Sequence, residues 1–85
     1  MQIHTLSLLR LPAVLARRGV GRTLHWHDVK RGRFTPPVKI GRCTAWPSTE
    51  VDALLAAQVA GASPDELRAL SAELVAKRAS LKVSA

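Results

Sequence analysis

This 85-residue chain has one cysteine, no tyrosine and only three aromatic residues, Trp26, Phe34 and Trp46. The lone Cys43 excludes an intrachain disulfide and any zinc site built on several cysteines, so no metal and no cofactor are expected and a cytoplasmic setting is. Three aromatics supply no row of displayed rings for stacking unpaired bases, which argues against RNA as partner. Long apolar runs are also missing. None approaches the roughly 20 residues of a transmembrane helix, and LSLLRLPAVLA is interrupted by Arg10 and Pro12 with no Lys or Arg before it, unlike a secretory signal. A basic organellar presequence over residues 1–22 is the rival reading of that segment. Length is short as well: 85 residues bury one small core and leave little room for an enzyme's deep cleft. No catalytic residue and no membrane partner are expected; a binding role is.

What is abundant is positive charge, 13 Lys plus Arg against 6 Asp plus Glu, a net +7. With 47% hydrophobic residues the chain is too apolar for a disordered basic tail, so a fold is expected to carry the charge toward an anionic partner. The charge is lopsided. Residues 1–49 hold nine basic and one acidic residue, a net +8, and residues 50–85 hold four basic and five acidic, a net −1. A binding surface followed by a scaffold or interaction segment is the pattern.

Residues 2–9 alternate loosely, with Ile3, Leu6, Leu8 and Leu9 apolar, and read as an extended lead-in or frayed strand. Pro12 in a first turn, Val14 and Leu15 as apolar stripe, Arg17 and Arg18 at the end and Gly19 as stop predict a helix over 12–18. A turn at Val20 and Gly21 leads into a second helix from Arg22 to Lys30 or Arg31, closed by Gly32. Its stripe is imperfect, because His25, His27 and Asp28 interrupt Leu24, Trp26 and Val29 on every face. Two short helices joined by a turn match a helix-turn-helix. Pro36 and Pro37 end helical structure, and Val38–Ile40, a turn at Gly41 and Arg42, then Cys43–Trp46 predict a hairpin that Trp46 anchors to the helices. Ser48 reads as N-cap of a third helix packed through Val51, Leu54, Leu55 and Val59, with Glu50 and Asp52 meeting its positive end. Ser63, Pro64 and Glu66 open a fourth with a capping box, and Leu67, Leu70, Leu74 and Leu81 give it a stripe for packing on its own domain or on a second protein. The fold class is therefore mainly α with a small β-hairpin. The division is a binding domain over 1–60 and a C-terminal helix over 61–85, for intradomain packing or oligomerisation.

The ordered set LLRLPAVLARRGV, RGRF, PPVKIG, an isolated Trp46 and STEVDALL resembles the AlpA-type phage transcriptional regulators and the small excisionases, over residues 6–59. That resemblance implies a MerR-like winged helix-turn-helix, with the second helix in the major groove of double-stranded DNA and the hairpin wing on the adjacent backbone or minor groove. Carried onto this chain, it makes Arg22, Thr23, Trp26 and His27 the major-groove candidates, with Lys30 at the helix end and Lys39 and Arg42 on the wing. The family commonly has a serine where Gly21 stands and aliphatic residues where His25 and Asp28 stand. These departures point to a less stable second helix, a shift in its phase, or a relative that kept the scaffold and lost the activity.

Each of these residues also has a plainer role. Arg22 can make paired hydrogen bonds to guanine, contact phosphate, or sit solvated at a helix start. Thr23 can touch DNA or serve as a local cap, and Trp26 is more often packed than displayed. Arg18, Lys30, Arg31, Arg33, Lys39 and Arg42 are phosphate candidates, which position DNA without reading it. Phe34 is expected to pack the start of the wing. The expected function is transcriptional regulation of a prophage or integrated element by a nucleoid-associated protein, with a homodimer, integrase or other protein as further partner. The alternatives are a recombination directionality factor that bends DNA, and a protein-interaction adaptor or antitoxin.

Overall fold

The computed structural model describes residues 7–79. The elements run β1 (Leu8–Arg10), α1 (Leu11–Arg18), α2 (Arg22–Lys30), β2 (Val38–Ile40), β3 (Cys43–Pro47), α3 (Ser48–Val59) and α4 (Pro64–Arg78). They form a small mainly-α domain with a three-stranded antiparallel sheet in the order β1-β3-β2.

Local chemistry explains most boundaries. Proline in its first turn starts α1, and Gly19 ends it at φ +69, its N–H donating to the Leu15 carbonyl at 2.8 Å. That left-handed backbone is open to glycine at little cost. The hairpin pairs Val38 with Ala45, Lys39 with Thr44 and Ile40 with Cys43 around Gly41. Helix α4 has a full capping box, with the Ser63 hydroxyl accepting from the Glu66 N–H and the Glu66 carboxylate accepting from the Ser63 N–H.

Long-range pairing supplies what these signals do not. Residues 8–10 join β3 as an edge strand, Leu9 opposite Trp46 and Arg10 opposite Ala45, so the sheet has one strand more than the expected hairpin. Ser48 is not the N-cap of α3. Pro47 holds that position without a side-chain bond, while the Ser48 hydroxyl accepts from the Ser7 N–H at 2.9 Å and the Ser48 N–H donates to the Ser7 carbonyl at 2.7 Å. The serine ties β1 to the start of α3. Ile3, Leu6 and Leu81 lie outside the described residues.

The core is Val14, Phe34, Trp46, Val51, Leu54 and Leu67. Trp46 is fully buried and its indole N–H donates to the Thr35 carbonyl at 2.8 Å, the hydrogen bond a buried tryptophan needs. Leu67 brings α4 into the same core, with Leu70 and Leu74 packed against its edge. The helix after residue 60 thus packs within the domain. Val59 does not pack with α3's buried face but is 88% exposed. At ~100° per residue it lies roughly 140° around the helix from Leu54.

Candidate nucleic-acid interface

Helix α2 is amphipathic in an unusual way, since two of the residues it turns inward are His25 and Asp28, both buried. Half-buried Val29 completes that side. The interruptions seen in the sequence are the packed face itself. Asp28 is held by two guanidinium groups, with Arg18 Nη2 at 2.6 Å from Oδ2 and Arg33 Nη2 at 3.0 Å from Oδ1. Arg18 also donates through Nη1 to His25 Nδ1 at 2.9 Å and lies 4.4 Å above the Phe34 ring centroid. Because arginine cannot accept, His25 carries its proton on Nε2. Burial, reinforced by the neighbouring Arg18 charge and partly opposed by Asp28, lowers the His25 pKa to about 4. The imidazole is neutral at pH 7 and acts as acceptor and ring. The ring lies T-shaped to Trp46, Phe34 and Trp26 at centroid distances of 4.9, 5.2 and 5.2 Å.

With that side turned in, Arg22, Thr23, Trp26, His27 and Lys30 are all exposed. At ~100° per residue they span roughly 140° of the helix circumference, so the four candidate readers and the lysine share one face. Trp26 divides its surface. It is 38% exposed and leans on Trp46 with centroids 5.6 Å apart. Thr23 makes no cap, since α2 starts from Gly21 without a side-chain hydrogen bond. His27 Nδ1 lies 3.4 Å from Arg33 Nη2.

The phosphate candidates separate into two groups. The Arg18 side chain is 2% exposed and consumed by His25 and Asp28, so it faces no external anion. Arg33, 23% exposed, spends one side of its guanidinium on Asp28. Lys30, Arg31, Lys39 and Arg42 are exposed and their side chains have no partner among the described residues. Arg10 on β1 is a further exposed, unpaired cation that sequence reasoning missed. Its place in the +8 block was the signal, masked by its reading as an interruption in an apolar run.

Each of the six acidic residues has an internal partner. Asp28 is paired as described, and Asp52 meets Arg17, Glu50 meets Arg78, Asp65 meets Arg68 and Glu73 meets Lys77. Glu66 serves the capping box. The cations left without a partner among the described residues are Arg10, Arg22, Lys30, Arg31, Lys39 and Arg42. All lie between residues 10 and 42. Among the described residues no cluster of three or more His, Cys, Asp or Glu side chains is placed to hold a metal ion, and no helix is long and apolar enough to cross a membrane. Comparison with protein-family models, with curated proteins and with solved structures finds no match.

Proposed function

We propose that this chain is a double-stranded DNA-binding protein in which α1 and α2 form a helix-turn-helix and β2 and β3 its wing, a MerR-like arrangement of the kind that the AlpA-type regulators and small excisionases use. The observation that carries the reading is the separation of charge. Among the described residues five of the six acids are ion-paired and the sixth, Glu66, caps α4, which leaves six unpaired cations on β1, α2 and the hairpin with no unpaired carboxylate in those elements. A field of one sign without competing carboxylates is what attraction to a polyanion requires. The three-residue turn Gly19–Gly21 between α1 and α2 supports the helix-turn-helix assignment. On this reading Arg22, Thr23, Trp26 and His27 meet base edges in the major groove. Lys30, Arg31, Lys39 and Arg42 anchor phosphates, and Arg18 is a scaffold residue. Transcriptional regulation of a prophage or integrated element is the role we assign; DNA bending on the preferred site beside an integrase would move it to recombination directionality.

Selection from randomised duplexes at low salt tests the proposal. Wild type should enrich a short motif. Arg22→Ala should relax preference at one position, at about 1–3 kcal/mol of discrimination. Lys39→Ala should weaken all sequences alike and reduce the salt slope by about one. Absence of enrichment by wild type would sink the reading.

A second reading has its own observation. A groove of about 560 Å³ runs between α2, α3 and α4, lined by Leu24, Leu55, Val59 and Leu67 and floored on one side by the Arg18, Asp28 and Arg33 network, with Leu24 49% and Val59 88% exposed. Apolar surface of this kind suits a protein partner. An adaptor or antitoxin would form a tight protein complex, sensitive to Val59→Asp, with little preference among duplexes.

A further inference from the structure

We propose that Arg68 and Arg78 are positioning residues: from α4 they hold the connection between α2 and the hairpin, and so set the wing against the helix that faces DNA. The consequence for DNA rests on the function proposed above, but the brace is a property of the fold. Residues 31–37 belong to no helix or strand, and Pro36 and Pro37 have no N–H to contribute. The segment's first three N–H groups, of Arg31, Gly32 and Arg33, donate to the carbonyls of His27, Val29 and Asp28 and tie its start to α2, so beyond Arg33 side-chain bonds to its carbonyls must supply the hold. Three of them are taken by side chains from elsewhere. Arg68 Nε donates to the Arg31 carbonyl at 3.2 Å, Trp46 Nε1 to Thr35 at 2.8 Å and Arg78 Nη2 to Pro36 at 2.7 Å.

Both arginines are themselves held. Arg78 forks onto Glu50, with Nε at 2.8 Å from one carboxylate oxygen and Nη2 at 2.7 Å from the other, and Glu50 is 4% exposed in the first turn of α3. Arg68 pairs with Asp65 one turn back, and its stem passes beside Gly32, where an added Cβ would make ordinary van der Waals contact with Arg68 Cγ at 3.8 Å. Helix α4 therefore grips the connection at both ends. Arg22, Lys30 and Arg31 precede or open this segment and Lys39 and Arg42 follow it. Engaging both groups on one duplex demands a fixed spacing between them, because phosphate contacts set the register of a protein on DNA.

The test uses Arg68→Lys and Arg78→Lys together. These keep every charge, leave Glu50 a cationic neighbour, and remove the Nε donor and the fork that a lysine cannot reproduce. Amide hydrogen exchange at residues 32–35 and 38–40 should accelerate about five- to tenfold, as expected for losing one or two hydrogen bonds, with the denaturation midpoint little changed. Affinity for the selected duplex should fall by a similar factor, and that fall should vanish when Lys39→Ala and Arg42→Ala are already present, since a mispositioned wing has no contacts left to lose. Unchanged exchange overturns the brace. Faster exchange with an equal affinity loss in both backgrounds overturns the positioning role. If wild type binds no duplex, the DNA reading fails while the exchange result still decides the brace.

Discussion

Helices α2 and α4 are built by opposite means. Helix α4 carries its instructions locally: a reciprocal capping box at Ser63 and Glu66, acids in its first turn, Lys77 and Arg78 in its last, and a Glu73 to Lys77 pair. Helix α2 has none of these at its start, where Gly21 offers no side-chain cap and the first turn has no acid. It is held by the Arg18, Asp28 and Arg33 network instead, with Arg18 reaching from α1. A helix held from behind leaves most of its outward face free of structural duties: of Arg22, Thr23, Trp26, His27 and Lys30 on that face, Trp26 alone also packs inward, on His25 and Trp46. The cost is dependence on one buried carboxylate.

Removing that carboxylate should break the comparison most sharply. Asp28→Ala leaves Arg18 buried without its anion, a loss of about 3–5 kcal/mol for an uncompensated buried charge. That is a large part of the stability of an ordinary small domain, and urea denaturation should show most of it. Asp65→Ala on α4 takes away an exposed pair, 93% exposed at the aspartate, and should barely move the midpoint. Replacing Arg18 and Asp28 together, as Arg18→Met and Asp28→Leu, should recover much of the lost stability, because the buried charge goes with its partner.

Next in size is a pH effect confined to α2. The folded pKa of His25, about 4, lies below its ordinary 6.5, so between these values the unfolded chain binds a proton that the folded chain refuses. Stability is then complete above pH 6.5 and falls as pH drops toward 4, by up to roughly 3 kcal/mol. Burial is the first cause and Arg18 the second, so the effect belongs to the packed side of the helix. Denaturation between about pH 5 and 6.5, where carboxylates add little, isolates it. His25→Phe should flatten the slope there by about half a proton at pH 6.5, rising to nearly one at pH 5; an unchanged slope would mean that the imidazole is already charged or solvated in the fold.

The same contrast explains what could be read in the chain. The capping box, the left-handed glycine after α1, the turn at Gly41 and the two prolines that end helical structure all act within a few residues, and the elements they predict are present. The pairing of β1 with β3 joins residues 35 to 39 apart in sequence through a three-residue strand, too short for alternation to identify. Ser48 has the chemistry of an N-cap and spends it on Ser7, because β1 brings that backbone within reach. For the candidate site, sequence yields the count and block position of the cations but not their distances to carboxylates. Arg18 and Lys30 look alike in a list of phosphate candidates. One is buried on Asp28 and the other is free. His25 and Asp28 read as damage to an apolar stripe, since hydrophobic periodicity has no means of recognising a helix packed through an ion pair.

The smallest effects come from exchanging the local devices of the two helices. Ser63→Ala should cost α4 about 1 kcal/mol by leaving the Glu66 N–H without its acceptor, measurable as a lower thermal midpoint. The reverse change gives α2 what it lacks. Gly21 sits at φ −88 and ψ 177, extended backbone open to any residue, and a side chain there would meet no atom within 4 Å. Gly21→Ser should therefore cap α2 without strain and stabilise the domain by a few tenths of a kcal/mol, the usual difference between glycine and serine at an N-cap. The gain should be larger in the Asp28→Ala background than in the wild type, because local support matters most where the network that replaced it is gone. Equal gains in the two backgrounds would mean that the two kinds of support act independently, and that α2 starts by itself rather than being held in place by α1.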